Sequence, residues 1–437
     1  MSGTVDFQLT DDQRALKAGM RELLERRFPR SRLRAAVDGE AERGAEVDRE
    51  LWRELGAAGL FALRVPESAG GVGLGLPEVV LAFEEAGRAL LPGPLAATEL
   101  TAHLSAAGWL AGGGPAAGRW VAEGSAAGAL VADGDAAAGW LADGGSAAGA
   151  LVAGAVRGEA VVTALDQGGA LVEHLASADA VLALGATAVE VIPAGAVARS
   201  AESIRSVDPA TPLHRTAPYR TAPHGAAPQR EAPHGAAPQR EAPHGAAPQR
   251  EAPQRGAPHG TAPTRVAPHR TAVAGTGASG AATTGVAASG PADRLRREAA
   301  LLTAAQQLGS ASRTVELAVE HAKRRTQFGR PIGAFQAVQH LCAGMLVRAE
   351  SARSVVYAAA VTEEPGDIAA AKLLADEAAV RNARDCLQVH GGMGFTWEAD
   401  VHLHLKRAWV RAGQWQCAAE AEEELAAGLL STVGACL

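Results

Sequence analysis

The residues best suited to binding chemistry lie in a short segment between two long helical patterns. Arg325, Gln327 and Phe328 place a guanidinium, a side-chain amide and an aromatic ring close together, and Gly329 and Pro331 then interrupt the helix. An arginine fork suits a phosphate or pyrophosphate, because two parallel charge-assisted hydrogen bonds fix both position and orientation. Taken alone, an arginine near a helix end is more often a solvated charge.

A second candidate segment begins where another helical pattern meets three closely spaced glycines. Gln388 presents a donor and an acceptor just before Gly391, Gly392 and Gly394. Glycines let the backbone approach a ligand closely, although a helix end followed by a turn has the same sequence pattern.

Amphipathic helices position both segments. At the N-terminus, apolar periodicity predicts helices near 7–28, 47–58 and 77–90, the first begun by a Thr10 cap, and a Gly/Pro loop over 65–75. In the C-terminal part the same periodicity predicts four helices, over 293–324, 335–361, 367–389 and 400–430.

Between these helical parts the pattern changes to short apolar runs separated by Gly and Asp. The runs predict strands of a small antiparallel barrel or sandwich. They are Gly128–Ala132, Ala150–Ala153, Ala160–Leu165, Ala180–Leu184 and Val189–Ile192.

Residues 216–290 are of different composition. The unit A-P-H-G-A-A-P-Q-R-E repeats from Ala222 to Glu251 and then decays into a Gly/Ala/Ser/Thr stretch. Proline removes backbone donors and large apolar groups are nearly absent, so we expect a disordered, partly polyproline-II insertion. The domains predicted are therefore 1–110, 111–215, the insertion at 216–290, and 291–437.

Composition limits the classes of function. A net charge of −7 argues against nucleic-acid binding, which needs a basic face. No apolar run is long enough to span a membrane and the N-terminus is polar, so a cytoplasmic location is expected. Four cysteines without close Cys/His spacing predict neither a disulfide framework nor a metal site.

The two candidate segments, R-x-Q-F-G-x-P-I-x-x-F-Q and Q-x-H-G-G-x-G-F, together resemble the C-terminal helical domain of the acyl-CoA dehydrogenase family. The N-terminal stretches 6–10, 51–56, 65–67 and 70–73 look like that family's opening domain, so the resemblance covers residues 5–110 and 291–412. It implies a mainly α fold with a small β domain. An N-terminal helical domain, a middle β-barrel-like domain and a C-terminal four-helix bundle would be interrupted by the Pro-rich repeat.

The resemblance also implies a flavoprotein of fatty acid metabolism. FAD would lie between the subunits of an oligomer, an acyl-CoA would be the substrate, and an electron-transferring flavoprotein would accept the electrons. The residues that it implies for cofactor binding are Arg325, Gln327, Phe328 and Gln336 on the diphosphate and adenine side, and Gln388, Gly391 and Gly392 toward the half bound by a neighbouring subunit.

The sequence departs from the family at the carboxylate that takes the α-proton. The commoner family position falls within 406–417, which holds no acid, and Glu420 beyond it belongs to a charge run expected to be a solvated helix face. The other position falls on Ala299, one residue from Glu298. A one-residue step turns a helical side chain by about 100°, so Glu298 would normally lie on another face of the helix. The flavin segment T-E-P-x-x-G-S-D has no match in 111–205 either.

Three hypotheses remain open. The chain is an active acyl-CoA dehydrogenase with Glu298 or an unrecognised carboxylate as base, or a base-deficient subunit that helps to bind FAD and pairs with a catalytic homologue. Alternatively it is a non-enzymatic interaction protein built on a dehydrogenase scaffold, with the repeat recruiting partners.

Overall fold

The computed structural model describes residues 8–39, 46–106, 150–151, 153–166, 171–185, 189–216 and 290–435. The predicted strand Gly128–Ala132 and nearly all of the predicted repeat at 216–290 lie outside these residues.

Helices form the described N-terminal part. They are α1 (Asp11–Arg27), α2 (Arg30–Asp38), α3 (Arg49–Ala57), α4 (Leu76–Arg88) and α5 (Leu95–Ala106). The predicted cap is confirmed, since the Gln13 N–H donates to the Thr10 hydroxyl at 3.2 Å and the Thr10 N–H donates to the Gln13 side chain at 3.0 Å. The predicted helices are confirmed too. The sequence pattern does not predict α2, because only Leu33 and Val37 of that short helix are buried.

The described residues that follow form two three-stranded sheets. The first joins β1 (Val162–Asp166), β3 (Ala180–Leu184) and β4 (Val189–Pro193), and the second joins β2 (Leu171–Glu173), β6 (Leu213–Arg215) and β5 (Glu202–Ile204). Helix α6 (Ala194–Ala198) follows β4.

The predicted positions of β1, β3 and β4 are confirmed, but two expectations for this region are wrong. The pairing is not purely antiparallel, because β1 runs parallel to β3. The described residues of the run Ala150–Ala153 are helical. Alanine favours helix over strand, which explains why an alanine-rich apolar run can mislead.

The C-terminal part is helical. It contains α7 (Pro291–Arg324), α8 (Gln336–Thr362), α9 (Pro365–His390), α10 (Val401–Ala412) and α11 (Ala418–Ala435), with a short hairpin of β7 (Thr326–Gln327) and β8 (Arg330–Pro331) between α7 and α8. The prediction of one helix over 400–430 is wrong, because the chain turns between α10 and α11. Trp415 has a φ of +66° at this turn, which a continuing helix does not allow.

Helix α7 packs against α4, α8 and α9, and glycine allows α4 to cross it closely. A Cβ added to Gly309 of α7 would lie 1.8 Å from the Glu84 carbonyl oxygen, and one added to Gly87 of α4 would lie 2.0 Å from the Gln306 carbonyl oxygen. The two backbones therefore touch where neither helix carries a side chain. None of the described helices is long and apolar enough to cross a membrane.

Candidate functional site

The predicted anion-binding turn is a tight β-hairpin at the C-terminal end of α7. Gln327 pairs with Arg330 across the hairpin, and the two residues between them, Phe328 and Gly329, have φ values of +51° and +77°. Two central residues with positive φ are typical of a two-residue hairpin turn. The turn holds the Phe328 ring 92% exposed, beside an exposed Arg325.

A second aromatic ring supports this hairpin. Phe335 lies edge-on to Phe328, with 6.1 Å between the ring centroids. The Arg330 guanidinium lies 4.2 Å from the centroid of the Phe335 ring, in a cation–π contact. Gln336 is exposed and begins α8 directly after Phe335, so this predicted residue lies at the base of the same turn.

The second predicted segment ends α9 with a conformation that requires glycine. Gly391 has φ +61° and ψ −143°, a region that is essentially restricted to glycine, and its N–H donates to the Gln388 carbonyl oxygen. In the part of the chain that the structure describes, no atom lies within 4 Å of a Cβ added to Gly391 or Gly392. The backbone of this turn, like the Gln388 side chain, is therefore exposed.

The tertiary structure brings the two segments together. The rings of His321 and His390 stack with 4.1 Å between their centroids, which joins the end of α7 to the end of α9. Arg325 lies one turn after His321, and its N–H donates to the His321 carbonyl oxygen at 2.8 Å. Gly391 directly follows His390. Residues predicted from two separate motifs thus form one exposed surface, which we call the helix-end surface.

The helix-end surface presents the exposed guanidinium of Arg325, the exposed ring of Phe328 and the uncovered backbone of the glycine turn. A guanidinium suits a phosphate, and glycine lets a ligand approach the backbone closely. The chemistry of the residues present therefore fits a dinucleotide such as FAD.

Glu298 lies elsewhere, in a buried ionic cluster between α5, α7 and the segment that follows α3. One carboxylate oxygen accepts a hydrogen bond from Arg64 at 2.7 Å and the other accepts from Arg294 at 2.8 Å. Arg64 also donates two bonds to Glu99, both of 2.8 Å. Both oxygens of Glu298 are thus held by cations, and its side chain is 4% exposed.

The charges around Glu298 determine its ionisation. Burial acts to raise its pKa, but the charge and hydrogen bond of Arg64, together with Arg294, outweigh burial and hold the pKa below its usual range. A carboxylate so stabilised in its ionised form is a weak proton acceptor near neutral pH. This geometry gives Glu298 the surroundings of a structural ion pair.

A cavity of about 480 Å³ lies between the small sheets and the C-terminal end of α10. Its apolar lining includes Leu171, Val207 and Leu213 from the sheet region and Trp409 and Trp415 from α10 and the turn after it. This turn falls within the stretch in which the sequence places the commoner family base. The broken helix therefore forms one wall of an apolar, tryptophan-lined cavity.

Three carboxylates line the cavity. Asp166 accepts a hydrogen bond from the Arg296 guanidinium at 2.7 Å, and Glu420 accepts one from the Cys417 N–H at 2.8 Å at the start of α11. Glu420 is exposed, as predicted for a solvated helix face, and it also caps the start of α11. Glu173, from β2, accepts from the Gln414 side-chain amide at 2.8 Å.

Buried charges lie behind Glu173. Arg407 and Asp208 form an ion pair in which both side chains are almost fully buried, and Arg407 also donates to the Leu90 and Leu91 carbonyl oxygens at 3.3 and 3.2 Å. Burial, together with the charge of Arg407, lowers the pKa of Arg411 to about 9. Within the described part of the chain, Nη1 of Arg411 has no hydrogen-bond partner.

Sequence reasoning did not find Glu173 or the Asp208–Arg407 pair. Glu173 ends a three-residue strand with no neighbouring motif, and its partner Gln414 is 241 positions away. The one local signal is a charged residue within an apolar strand run, which is equally typical of a solvent-facing strand position.

Family comparisons cover both helical parts of the chain. The acyl-CoA dehydrogenase N-terminal domain matches residues 10–116 and the C-terminal domain of the same family matches residues 294–413. Together the two matches span about half of the chain.

Individual relatives match over shorter stretches. The chain is 49% identical over 110 residues to the acyl-CoA dehydrogenase IpdE2 of Mycobacterium tuberculosis, a match that covers 25% of this chain and 35% of the relative. The acyl-CoA dehydrogenase FadE34 of the same organism is 47% identical over 123 residues, which are 26% of this chain and 17% of that relative. The chain thus spans about a third or less of the length of these curated relatives.

Solved structures match the fold across nearly the whole chain. The ChsE4-ChsE5 complex from Mycobacterium tuberculosis aligns with a TM-score of 0.62 at 21% identity, over 98% of this chain and 99% of that chain. The FAD complex of PigA aligns with a TM-score of 0.59 at 16% identity, over 97% and 99%. At these identities the alignments establish the fold alone.

Proposed function

Because this chain belongs to the acyl-CoA dehydrogenase family, whose members depend on FAD, we propose that it is a flavoprotein subunit that takes part in the α,β-dehydrogenation of an acyl-CoA thioester. The observation that carries the proposal is the contact between the Arg325 hairpin and the Gly391 turn through the stacked histidines. That contact assembles a cation, an exposed ring and an uncovered glycine backbone on one surface.

We assign the predicted cofactor residues to this surface. Arg325 neutralises a phosphate of FAD, with Gln327 and Gln336 as polar neighbours, and Phe328 stacks on a flat part of the cofactor. Gln388, Gly391 and Gly392 let the dinucleotide approach the end of α9. When bound, FAD supplies the acceptor for the hydride that leaves the acyl chain, and an electron-transferring flavoprotein would reoxidise it.

The cavity and the helix-end surface are too far apart to be one compact site. Gln306 of α7 lines a smaller cavity that shares Glu173 with the tryptophan-lined cavity, and Arg324 ends α7. At about 1.5 Å per helical residue, these positions are about 27 Å apart along the helix. We propose that the helix-end surface serves a cofactor shared with a neighbouring subunit, so that cofactor binding and assembly are linked.

A second candidate function is that of a base-deficient subunit that helps to bind FAD beside a catalytic homologue. The surroundings of Glu298 favour it, because two arginines hold both oxygens of the carboxylate that the sequence offered as a base. The ChsE4-ChsE5 complex, which shares the fold, is named as an assembly of two different chains. The hypothesis of an interaction protein depends on the repeat, which lies outside the described residues.

An absorption spectrum of the protein purified alone tests the proposal. We expect a yellow protein whose visible flavin band bleaches when a suitable member of a panel of acyl-CoA thioesters is added. A protein that binds flavin but bleaches only after co-expression with a homologue would establish the second candidate instead. A protein that binds no flavin alone or with a homologue would refute both.

A further inference from the structure

Glu173 lies in the tryptophan-lined cavity, and no cation among the described residues contacts its carboxylate directly. Its one described hydrogen bond comes from a neutral amide, that of Gln414. Asp166 is held by Arg296, and Glu420 is engaged by the backbone at the start of α11. Glu420 is exposed, so among the three described acids of the cavity Glu173 is the one that is partly buried and has no described cationic partner.

The position of Glu173 also supports a role in the tryptophan-lined cavity. It lines both the cavity of about 480 Å³ and a much smaller cavity behind it that Arg411 also lines. Gln414, its partner, lies in the turn between α10 and α11, the stretch in which the sequence lacks the expected acid. The fold thus brings a carboxylate from β2 to the place where the local sequence provides none.

We propose that Glu173 is the general base of this chain, accepting the α-proton of an acyl-CoA thioester whose acyl group enters the tryptophan-lined cavity. This inference rests on the dehydrogenase function proposed above. The apolar lining by Leu171, Trp409 and Trp415 suits an acyl group, and Gln414 is the positioning residue that holds the carboxylate.

The proton transfer is balanced without further reactants. The Cα–H bond breaks, the proton goes to an oxygen of Glu173, and the electron pair is delocalised into the thioester carbonyl as an enolate. In the absence of hydride loss, the Glu173 carboxyl group exchanges its proton with solvent and then returns a proton to the enolate. In D₂O that cycle replaces an α-hydrogen of the substrate by deuterium.

The groups that face Glu173 set the pH at which it can act. Burial raises the pKa of Glu173, whereas the Gln414 hydrogen bond and the charges of Arg411 and Arg407 oppose that rise and the charge of Asp208 adds to it. A base must be ionised, so the rate of exchange should rise with pH through a pKa above the usual carboxylate range.

The test measures deuterium incorporation at Cα of butanoyl-CoA and longer acyl-CoA thioesters, by NMR in D₂O, with the full-length protein in its FAD-loaded form. Glu173→Gln should lower the exchange rate by about 10²-fold or more and remove the step in its pH profile. Glu173→Asp keeps a carboxylate and should restore part of the rate. Unfolding curves and flavin content of each variant show whether it has folded.

Glu202→Gln is the matched control. Glu202 lies in β5 of the same small sheet as Glu173, is exposed, and has only a distant contact with Arg215 at 3.8 Å. Its exchange rate should equal that of the unchanged protein. Equal rates in Glu173→Gln and the unchanged protein would overturn the role of Glu173 while leaving dehydrogenation intact.

Failure of the proposed dehydrogenase function would give a different result. If the unchanged protein neither exchanges α-hydrogens nor bleaches with any thioester, dehydrogenation by this chain is wrong, and the role of Glu173 falls with it. If the Glu173→Gln variant bleaches and exchanges α-hydrogens as the unchanged protein does, only the assignment of the base is wrong.

Discussion

At the scale of single residues, a substitution of Glu298 tests whether this carboxylate is a catalytic base or part of a structural ion pair. Glu298→Gln removes a buried charge that two arginines stabilise, and hydrogen bonds to charged groups each contribute about 1.5–3 kcal/mol. We expect the free energy of unfolding to fall by about that amount at pH 7, as measured by urea denaturation. Turnover per folded, flavin-loaded molecule should change little.

The pH dependence follows from the lowered pKa of Glu298. A carboxyl group with a folded-state pKa below its unfolded value stabilises the protein above the unfolded pKa, and this contribution is lost as pH falls through the folded pKa. The difference between the unchanged protein and Glu298→Gln should therefore shrink in acid. Lost turnover with an unchanged unfolding midpoint would instead identify Glu298 as the base.

At the scale of elements, the crossing of α4 and α7 depends on glycine. Gly309→Ala would place a methyl group 1.8 Å from the Glu84 carbonyl oxygen and 2.7 Å from the Arg88 nitrogen. Overpacking of this kind typically costs about 1–3 kcal/mol, so the free energy of unfolding should fall by at least that amount. Thermal and denaturant unfolding of the purified variant measure the change.

Gly19→Ala supplies the matched comparison, since Gly19 lies within α1 and nothing lies within 4 Å of an added Cβ. Alanine should stabilise that helix by about 0.5–1 kcal/mol. Similar effects of the two substitutions would contradict the close approach of α4 to α7.

At the scale of the whole molecule, the helix-end surface should couple cofactor binding to assembly. Arg325→Gln removes the proposed phosphate contact, so the Kd for FAD should rise roughly tenfold or more. A ligand held by two subunits stabilises their association by mass action. Sedimentation velocity with and without added FAD should therefore show a smaller assembled fraction for the variant at equal concentration.

Arg324→Gln is the control for this prediction. Arg324 is the preceding residue, is also exposed, and is engaged with Glu320 through its backbone carbonyl at 3.2 Å and its carboxylate at 3.4 Å. It should retain FAD as the unchanged protein does. If both variants retain FAD equally well, the hairpin does not contact the diphosphate.

Local patterns were sufficient for much of this protein. The long helices, the Thr10 cap and the break at Gly329 follow from apolar periodicity, side-chain capping and backbone preference, all of which act within a few residues. Both candidate cofactor segments were also visible as motifs. Where two local tendencies competed, as in the alanine-rich run Ala150–Ala153, the pattern failed, because periodicity cannot separate a short strand from a short helix.

The sequence by itself thus determined the helical framework, the family and the two motifs. Only the tertiary structure decided what surrounds each ionisable group: two arginines hold Glu298, whereas Glu173 meets the amide of Gln414 in an apolar cavity. The pKa and reactivity of a carboxylate depend on burial and on charges within a few ångströms. Those neighbours come from positions far apart in the chain, so no local pattern contains them.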